Sequence, residues 1–137
     1  MPTITVESTL EDLRAQRRFA KNVSLWLHGE GVDINHVITK FLPADPQRVF
    51  SGPYPLGGPG LNGRRDVQDA REEGRFALVR CTVDADRPAR FRDRLAERIV
   101  TELAGHVTAD RVFIQFDLVR PELHVIGSQL GAAVSRG

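Results

Sequence analysis

Four stretches of the chain have the apolar pattern of β-strands. Over residues 3–7, Ile4 and Val6 alternate with polar side chains and β-branched residues dominate, which predicts a half-buried strand. Three further apolar runs cover residues 36–42, 76–83 and 111–119. A short apolar piece over residues 48–50 precedes a Gly-Pro-Tyr-Pro turn, so a minor strand is also expected there.

Two helices are predicted between these strands, because apolar residues recur at the spacing of one helix face. Ser8 and Thr9 are expected to cap the first helix, which Gly29 and Gly31 end. Its apolar stripe consists of Leu13, Phe19, Val23, Trp26 and Leu27. The second helix opens near Pro88, a residue suited to the first helical turn. Its apolar stripe consists of Phe91, Leu95, Ile99 and Leu103.

The order strand, helix, strand occurs twice, and the two halves form a weak internal repeat. An offset of 75 residues lays the second strand on the fourth, and an offset of 76 lays one helix stripe on the other. We therefore expect a single domain over residues 1–137, built from two β-α-β units at about 1–56 and 75–137. The glycine-rich and charged residues between the units are expected to form an exposed linker.

The predicted fold class is α/β (α+β), a tandem β-α-β repeat that forms a four-stranded mixed sheet with two helices on one face. Right-handed crossovers make the strands of each unit parallel. Phe113 beside Ile114 places apolar side chains on both faces of a strand, so we expect oligomerisation to bury the second face. A ferredoxin-like module has the same element order, and strand order would distinguish the two folds.

Charge and cysteine content narrow the possible functions. Nineteen basic and eighteen acidic residues give a formal charge of +1, which argues against broad attraction to nucleic acid or an anionic membrane. Cys81 is the only cysteine, so no internal disulfide forms, and the sequence lacks the pattern of a signal peptide or a membrane span. We expect a cytoplasmic protein with no nucleic-acid or membrane partner.

Pro2 carries the strongest chemical signal. Removal of Met1 is favoured before a small residue, and it would convert the Pro2 amide nitrogen into a ring amine. The pKa of an α-amino group is about 8, and burial in an apolar pocket or a nearby cation lowers it further by disfavouring the charged form, so such an amine can transfer protons at neutral pH. The strand that begins at Thr3 would hold the amine in place.

The sequence resembles the tautomerase superfamily in its proline-first strand, Pro2-Thr3-Ile4-Thr5-Val6, the amphipathic helix after it and the strand Val37-Ile38-Thr39-Lys40-Phe41. The tandem repeat is similar to the fused two-unit members, among them the macrophage-migration-inhibitory-factor (MIF) and fused 4-oxalocrotonate-tautomerase groups. The segment His124-Val125-Ile126-Gly127-Ser128 is similar to their closing hairpin. The resemblance implies a MIF-like fold and a homotrimer.

The resemblance also implies roles for individual residues. Pro2 would be the general acid and base, and arginines would grip a small-molecule carboxylate substrate, with no cofactor. By position, the carboxylate-binding arginine falls on His36 in the first half and on Arg111 in the second, so Arg111 is the better candidate. A second family arginine falls near Glu11 and Asp12 in the first half and near Asp86 and Arg87 in the second, which leaves Arg87 and Arg14 as alternative candidates. The second half starts without a proline, which leaves one prolyl site per chain.

Two function classes remain open at this point. The first is a tautomerase-like isomerase, or a related dehalogenase or decarboxylase, that acts on a keto, enol or unsaturated carboxylic acid. The second is a catalytically inactive trimer that binds a ligand or a protein, which His36 in place of an arginine favours. The four histidines lack metal-ligand spacing, so no metal site is expected, and mid-strand Cys81 is interpreted as a core residue.

Overall fold

A computed structural model describes residues 2–56, 74–123 and 125–127 of the chain. Within these residues the order of elements is β1 (Thr3–Ser8), α1 (Leu13–Gly29), β2 (Ile38–Pro43), β3 (Phe50–Ser51), β4 (Tyr54–Pro55), β5 (Ala77–Asp84), α2 (Ala89–Leu103) and β6 (Val112–Val119). A short 3-10 helix at Ile34–His36 precedes β2. Two more, at Ala109–Arg111 and Pro121–Leu123, precede and follow β6.

The main sheet has the strand order β2-β1-β5-β6. β1 and β2 run parallel, as do β5 and β6, and the two central strands β1 and β5 pair antiparallel. Each β-α-β unit therefore stays intact and joins the other through its first strand. The ferredoxin-like alternative is excluded because its units interleave, and the predicted mixed sheet of four strands is confirmed.

Both helices pack on one face of this sheet and enclose the core. Along the central strands every second residue is buried, and the buried residues of β1 face those of β5 in the ladder, as Val6 faces Val79. The predicted stripe of α2 is buried at all four positions, whereas α1 buries Phe19, Val23 and Leu27. Trp26 stacks on Phe91 with ring centroids 6.0 Å apart and so joins the two helices.

The predicted start of α1 is wrong. Its N-cap is Asp12, whose carboxylate accepts a hydrogen bond from the Arg14 N–H at 3.0 Å. Ser8 instead ends β1 and is buried, and the Thr9 hydroxyl bonds to the backbone of Phe76. Leu13, placed in the apolar stripe, is 57% exposed, because six residues before Phe19 its side chain points about 120° away from that buried ring.

Other boundaries move by a few residues. His36 and Arg111 were predicted to open strands, but each ends a 3-10 helix just before its strand. Pro88 is the N-cap of α2 rather than its first helical residue. The predicted linker after residue 56 lies outside the described residues up to residue 73, as do His124 and Ser128 at the two ends of the predicted closing hairpin.

The sheet face opposite the helices has large apolar side chains without cover. Ile38 is 52% exposed, Phe113 43% and Leu42 37%. A shallow cavity of about 430 Å³ lies over this face and is lined by side chains that include Leu78, Arg80 and Phe113. Neither helix in the described part of the chain has the length and apolar character to cross a membrane.

Candidate active site around Pro2

Pro2 lies buried at the start of the central strand β1. Its carbonyl oxygen accepts a hydrogen bond from the Ile38 N–H at 3.2 Å, which ties the residue to the edge strand β2. Because Thr3 pairs with Ile38 on one side and Thr82 on the other, Pro2 is flanked by neighbouring strands. A ring amine at this position would have a fixed orientation.

His36 lies at the same end of the sheet, on the β2 side of Pro2. It ends the 3-10 helix that leads into β2, and Val37 separates it from the strand. Its Nε2 is 3.7 Å from Asp33 Oδ2, and Asp33 also accepts a hydrogen bond from the Asn35 N–H. The structure therefore brings His36 near Pro2, with a carboxylate as its neighbour.

Arg87 is at the same end, but its guanidinium lies on the helix side. Its Nη1 donates to the carbonyl of Glu30 at 3.0 Å, and its Cζ is 4.8 Å from the centroid of the Phe91 ring. These contacts connect the turn before α2 to the C-terminal end of α1. In this conformation Arg87 links the two helices, and it would have to leave these partners to contact a molecule at Pro2.

Arg111 lies at the opposite end of the sheet from Pro2. The strand after it begins at Val112, which pairs with Ala77, and Ala77 in turn pairs with Ser8 at the far end of β1. Six residue steps along β1 separate Ser8 from Pro2, a span of roughly 20 Å. Within one chain Arg111 therefore does not meet Pro2.

Asp84, which the sequence did not single out, ends β5 next to the start of β1. The antiparallel register that pairs Thr3 with Thr82 brings this carboxylate to the Pro2 end of the sheet. One of its oxygens, Oδ1, is buried. The missing signal was long-range: nothing near Asp84 in the sequence reveals that β5 runs antiparallel to β1.

His106 and Cys81 are the described residues with resolved pKa shifts; His106 lies beside Thr9 at the far end of β1, and Cys81 pairs with Ile4 in the core. Burial raises the pKa of the Cys81 thiol to about 12, which suits the predicted core residue. Burial, with a smaller effect from Arg75, lowers the pKa of His106, whose Nε2 is 3.2 Å from the Thr9 hydroxyl. No group of three or more His, Cys, Asp or Glu side chains among the described residues could hold a metal ion.

This topology is that of a known group of proteins, although comparison of the sequence with other sequences does not detect it. No protein-family model matches the chain, and no curated protein matches its sequence. Solved structures do match in fold, and those described next are each 15% or less identical to this chain.

An FG41 malonate semialdehyde decarboxylase inhibited by 3-bromopropiolate is 15% identical, with a TM-score of 0.64 over 97% of this chain and 95% of that one. The macrophage migration inhibitory factor of Toxoplasma gondii is 12% identical, with a TM-score of 0.65 over 91% and 96%. The asymmetric trimer of wild-type R7 fused 4-OT is 11% identical, with a TM-score of 0.66 over 94% and 98%. The chain thus has the fold of the tautomerase superfamily, as Pro2 and the tandem repeat suggested.

Proposed function

We propose that the chain, once Met1 is removed, is a tautomerase-like enzyme. The ring nitrogen of Pro2 would act as general acid and base on a small keto, enol or unsaturated carboxylic acid. The reaction would be a keto-enol proton transfer, as in an isomerase, or the related reaction of a decarboxylase or dehalogenase. Neither reaction would need a cofactor. We place the protein in the cytoplasm because its one cysteine forms no internal disulfide.

The placement of Pro2 is the observation that carries this proposal. The residue is buried, and its carbonyl is hydrogen-bonded to β2. A proton-transfer group works best when its orientation is fixed and its surroundings control its proton affinity. Both conditions would apply to a Pro2 amine at the end of a paired central strand.

The substrate carboxylate would be bound by residues that one chain does not bring together. His36 and Arg87 lie at the Pro2 end of the sheet, but Arg87 is engaged with Glu30 and Phe91. Arg111 is at the other end of the sheet, so we propose that it reaches the Pro2 site of a different copy. A guanidinium that is supplied this way would give the planar carboxylate two parallel hydrogen bonds.

A homotrimer would supply that second copy and cover the open sheet face. Ile38, Leu42 and Phe113 leave apolar surface on a face where a stable monomer usually has polar side chains. Fused 4-OT, which has this fold, was solved as a trimer. Phe113→Glu would place a charge on this face, and we expect it to yield monomers in light-scattering measurements, whereas trimers in that variant would contradict the proposed interface.

The test of the catalytic proposal begins with the N-terminus. Mass spectrometry of the purified protein should show a chain that starts at Pro2, and this form should ketonise phenylenolpyruvate or 2-hydroxymuconate. Pro2→Ala should remove most of that activity, while Pro43→Ala, an exposed proline at the far end of β2, should retain it. A retained Met1 in the active protein would refute the proposal, because an acylated proline has no basic nitrogen.

Labelling gives an independent readout. The decarboxylase with this fold is inhibited by 3-bromopropiolate, an activated alkyne that an amine can attack. We expect this reagent to add to the Pro2 nitrogen, and peptide mapping should find the adduct on the N-terminal peptide. Pro2 acetylated before treatment should stay unlabelled.

The second candidate function is a non-catalytic trimer that binds a ligand or a protein. Two observations favour it: Arg87 is engaged away from Pro2, and Arg111 is about 20 Å away in the same chain. On this hypothesis the protein that starts at Pro2 would be trimeric yet inert towards a panel of keto and unsaturated acids. Activity that depends on Pro2 would exclude it.

A further inference from the structure

The solvent side of α1 carries a row of positive charge. Four of its side chains are cationic and exposed, and they are called the basic stripe here: Arg14, Arg17, Arg18 and Lys21. Since successive helical residues are about 100° apart, these four side chains point in directions within about 100° of one another. Arg14, nine residues before the buried Val23, points about 180° away from it. The basic stripe therefore lies on the side of α1 opposite the core.

No acidic residue lies among these cations. The seventeen residues of α1 include no Asp or Glu, and none of the four cationic side chains has an ion pair or hydrogen bond within the described part of the chain. The neighbouring helix α2 is different. Its four arginines are interspersed with three acids, and Arg94 and Arg98 pair with Glu30 and Glu102. The uniformly positive surface is thus one helix wide.

This arrangement of charge lowers the stability of α1. Arg14 and Arg18 are one turn apart, as are Arg17 and Lys21, and like charges at this spacing repel each other. Arg14 also lies in the first turn, where the helix dipole favours negative side chains. Folding therefore gives no reason for the basic stripe, whereas a binding partner of opposite charge would be attracted to it.

Leu25 extends the basic stripe with an apolar contact. It lies one turn beyond Lys21 on the same side of the helix and is 49% exposed. From Arg14 to Leu25 the row is about 16 Å long, or three turns. A second helix laid along the row has the same rise per turn, so acidic side chains one turn apart would meet the cations in succession. An apolar side chain in the following turn would contact Leu25.

Other anionic partners fit the basic stripe less well. A nucleic-acid duplex is wider than one helix and would bring phosphates close to Asp93 and Glu97, which are exposed on α2. Proteins bind single-stranded nucleic acid by stacking its bases on aromatic side chains, and the basic stripe has none. A helix that lies on a membrane inserts its apolar side, which in α1 is packed in the core.

We propose that the basic stripe of α1 binds an acidic helix of a partner protein. The inference is independent of the proposed function, because the basic stripe lies in the helix layer and Pro2 lies at the start of β1. The proposed trimer would cover the opposite face of the sheet, so the basic stripe of each copy would stay accessible. Because ion pairs at an exposed surface are individually weak and are screened by salt, the complex is weak and sensitive to salt.

The direct test is fluorescence anisotropy with a labelled probe peptide. The probe is an alanine-rich helical peptide with one glutamate per turn along one side, and the reference peptide has glutamine at the same positions. The unmodified protein should bind the glutamate peptide and not the glutamine peptide. A rise in NaCl from about 0.05 M to about 0.5 M should weaken binding roughly tenfold or more, because salt screens exposed charges. Equal binding of the two peptides, or binding of neither, would overturn the proposal.

Charge reversal locates the site on α1. Arg17→Glu should weaken binding of the glutamate peptide by roughly three- to tenfold, because one attraction is lost and a repulsion replaces it. The matched control is Arg90→Glu, which makes the same change at an exposed position near the start of α2 and should leave the affinity as it is. Undiminished binding in Arg17→Glu, or an equal loss in the two variants, would contradict a site on the basic stripe.

A stability measurement separates a binding role from a structural one. Because the cations of the basic stripe repel one another, Arg17→Glu should unfold at a higher urea concentration than the unmodified protein, even though it binds the peptide less tightly. A lower urea midpoint in this variant would show that Arg17 stabilises the fold, and the proposal would then fail.

Two further probes test the class of partner. A DNA duplex and phosphatidylserine vesicles should each bind the unmodified protein more weakly than the glutamate peptide does at the same salt concentration. Tighter binding of either probe would refute the assignment to an acidic protein segment.

Discussion

Two leucines on the same helix give the sharpest test of how α1 packs. Leu27 is fully buried, whereas Leu25, two residues earlier, is 49% exposed. The change Leu→Ala removes three carbon groups, worth about 0.8 kcal/mol each when they are buried. For Leu27 this transfer effect is about 2.4 kcal/mol, and the cavity left in the core brings the expected loss of unfolding free energy to about 3–5 kcal/mol.

For Leu25 the same arithmetic gives a much smaller loss. About half of its side chain is already in water, no closed cavity forms, and alanine is a slightly better helix former than leucine. We expect Leu25→Ala to cost about 1 kcal/mol or less.

The assay is urea denaturation followed by circular dichroism, at one fixed protein concentration because an oligomer's stability depends on it. In both variants the unfolding free energy should fall with urea concentration at the same slope as in the unmodified protein. The midpoint of Leu27→Ala should lie at a much lower urea concentration than that of Leu25→Ala. Equal losses in the two variants would refute the assigned rotation of α1. A loss confined to Leu25→Ala would refute it more strongly, since that result would place Leu25 in the core.

Three further predictions concern titration, reactivity and helix contacts. Since the folded-state pKa of His106 lies below its ordinary value of 6.5, its contribution to stability is complete above that pH and is lost as the pH falls. In His106→Gln the urea midpoint should depend less on pH below about 6.5 than in the unmodified protein. An unaltered pH dependence would contradict the burial of His106. With a thiol pKa near 12, Cys81 should resist iodoacetamide in the folded protein and react after denaturation, as mass spectrometry would show; rapid labelling of the folded state would contradict its place in the core. Arg87→Ala loses a hydrogen bond to the end of α1 and a stacked ring, so thermal unfolding should show a loss of about 1–2 kcal/mol, which Arg87→Lys restores only in part.

The elements of the fold were largely readable from local patterns. The α2 stripe of Phe91, Leu95, Ile99 and Leu103 is buried as its spacing predicts, and the alternation in β1 points to the core as expected. Such patterns are readable because one face of each element must leave water, which imposes a period on the sequence. The α1 cap was misassigned because Ser8 and Asp12 both have capping side chains, and only the length of β1 decides between them.

Which residues lie at the Pro2 end of the sheet depends on the pairing of strands that are far apart in the sequence. The sequence by itself determined that a strand follows Pro2 directly and that the second unit begins without a proline. Only the tertiary structure determined that the two units pair through β1 and β5, which brings Asp84 to the Pro2 end of the sheet and Arg111 to the opposite end. Backbone hydrogen bonds between strands are the same for almost any sequence, so the partner and direction of a strand depend on packing across the whole domain rather than on its own residues.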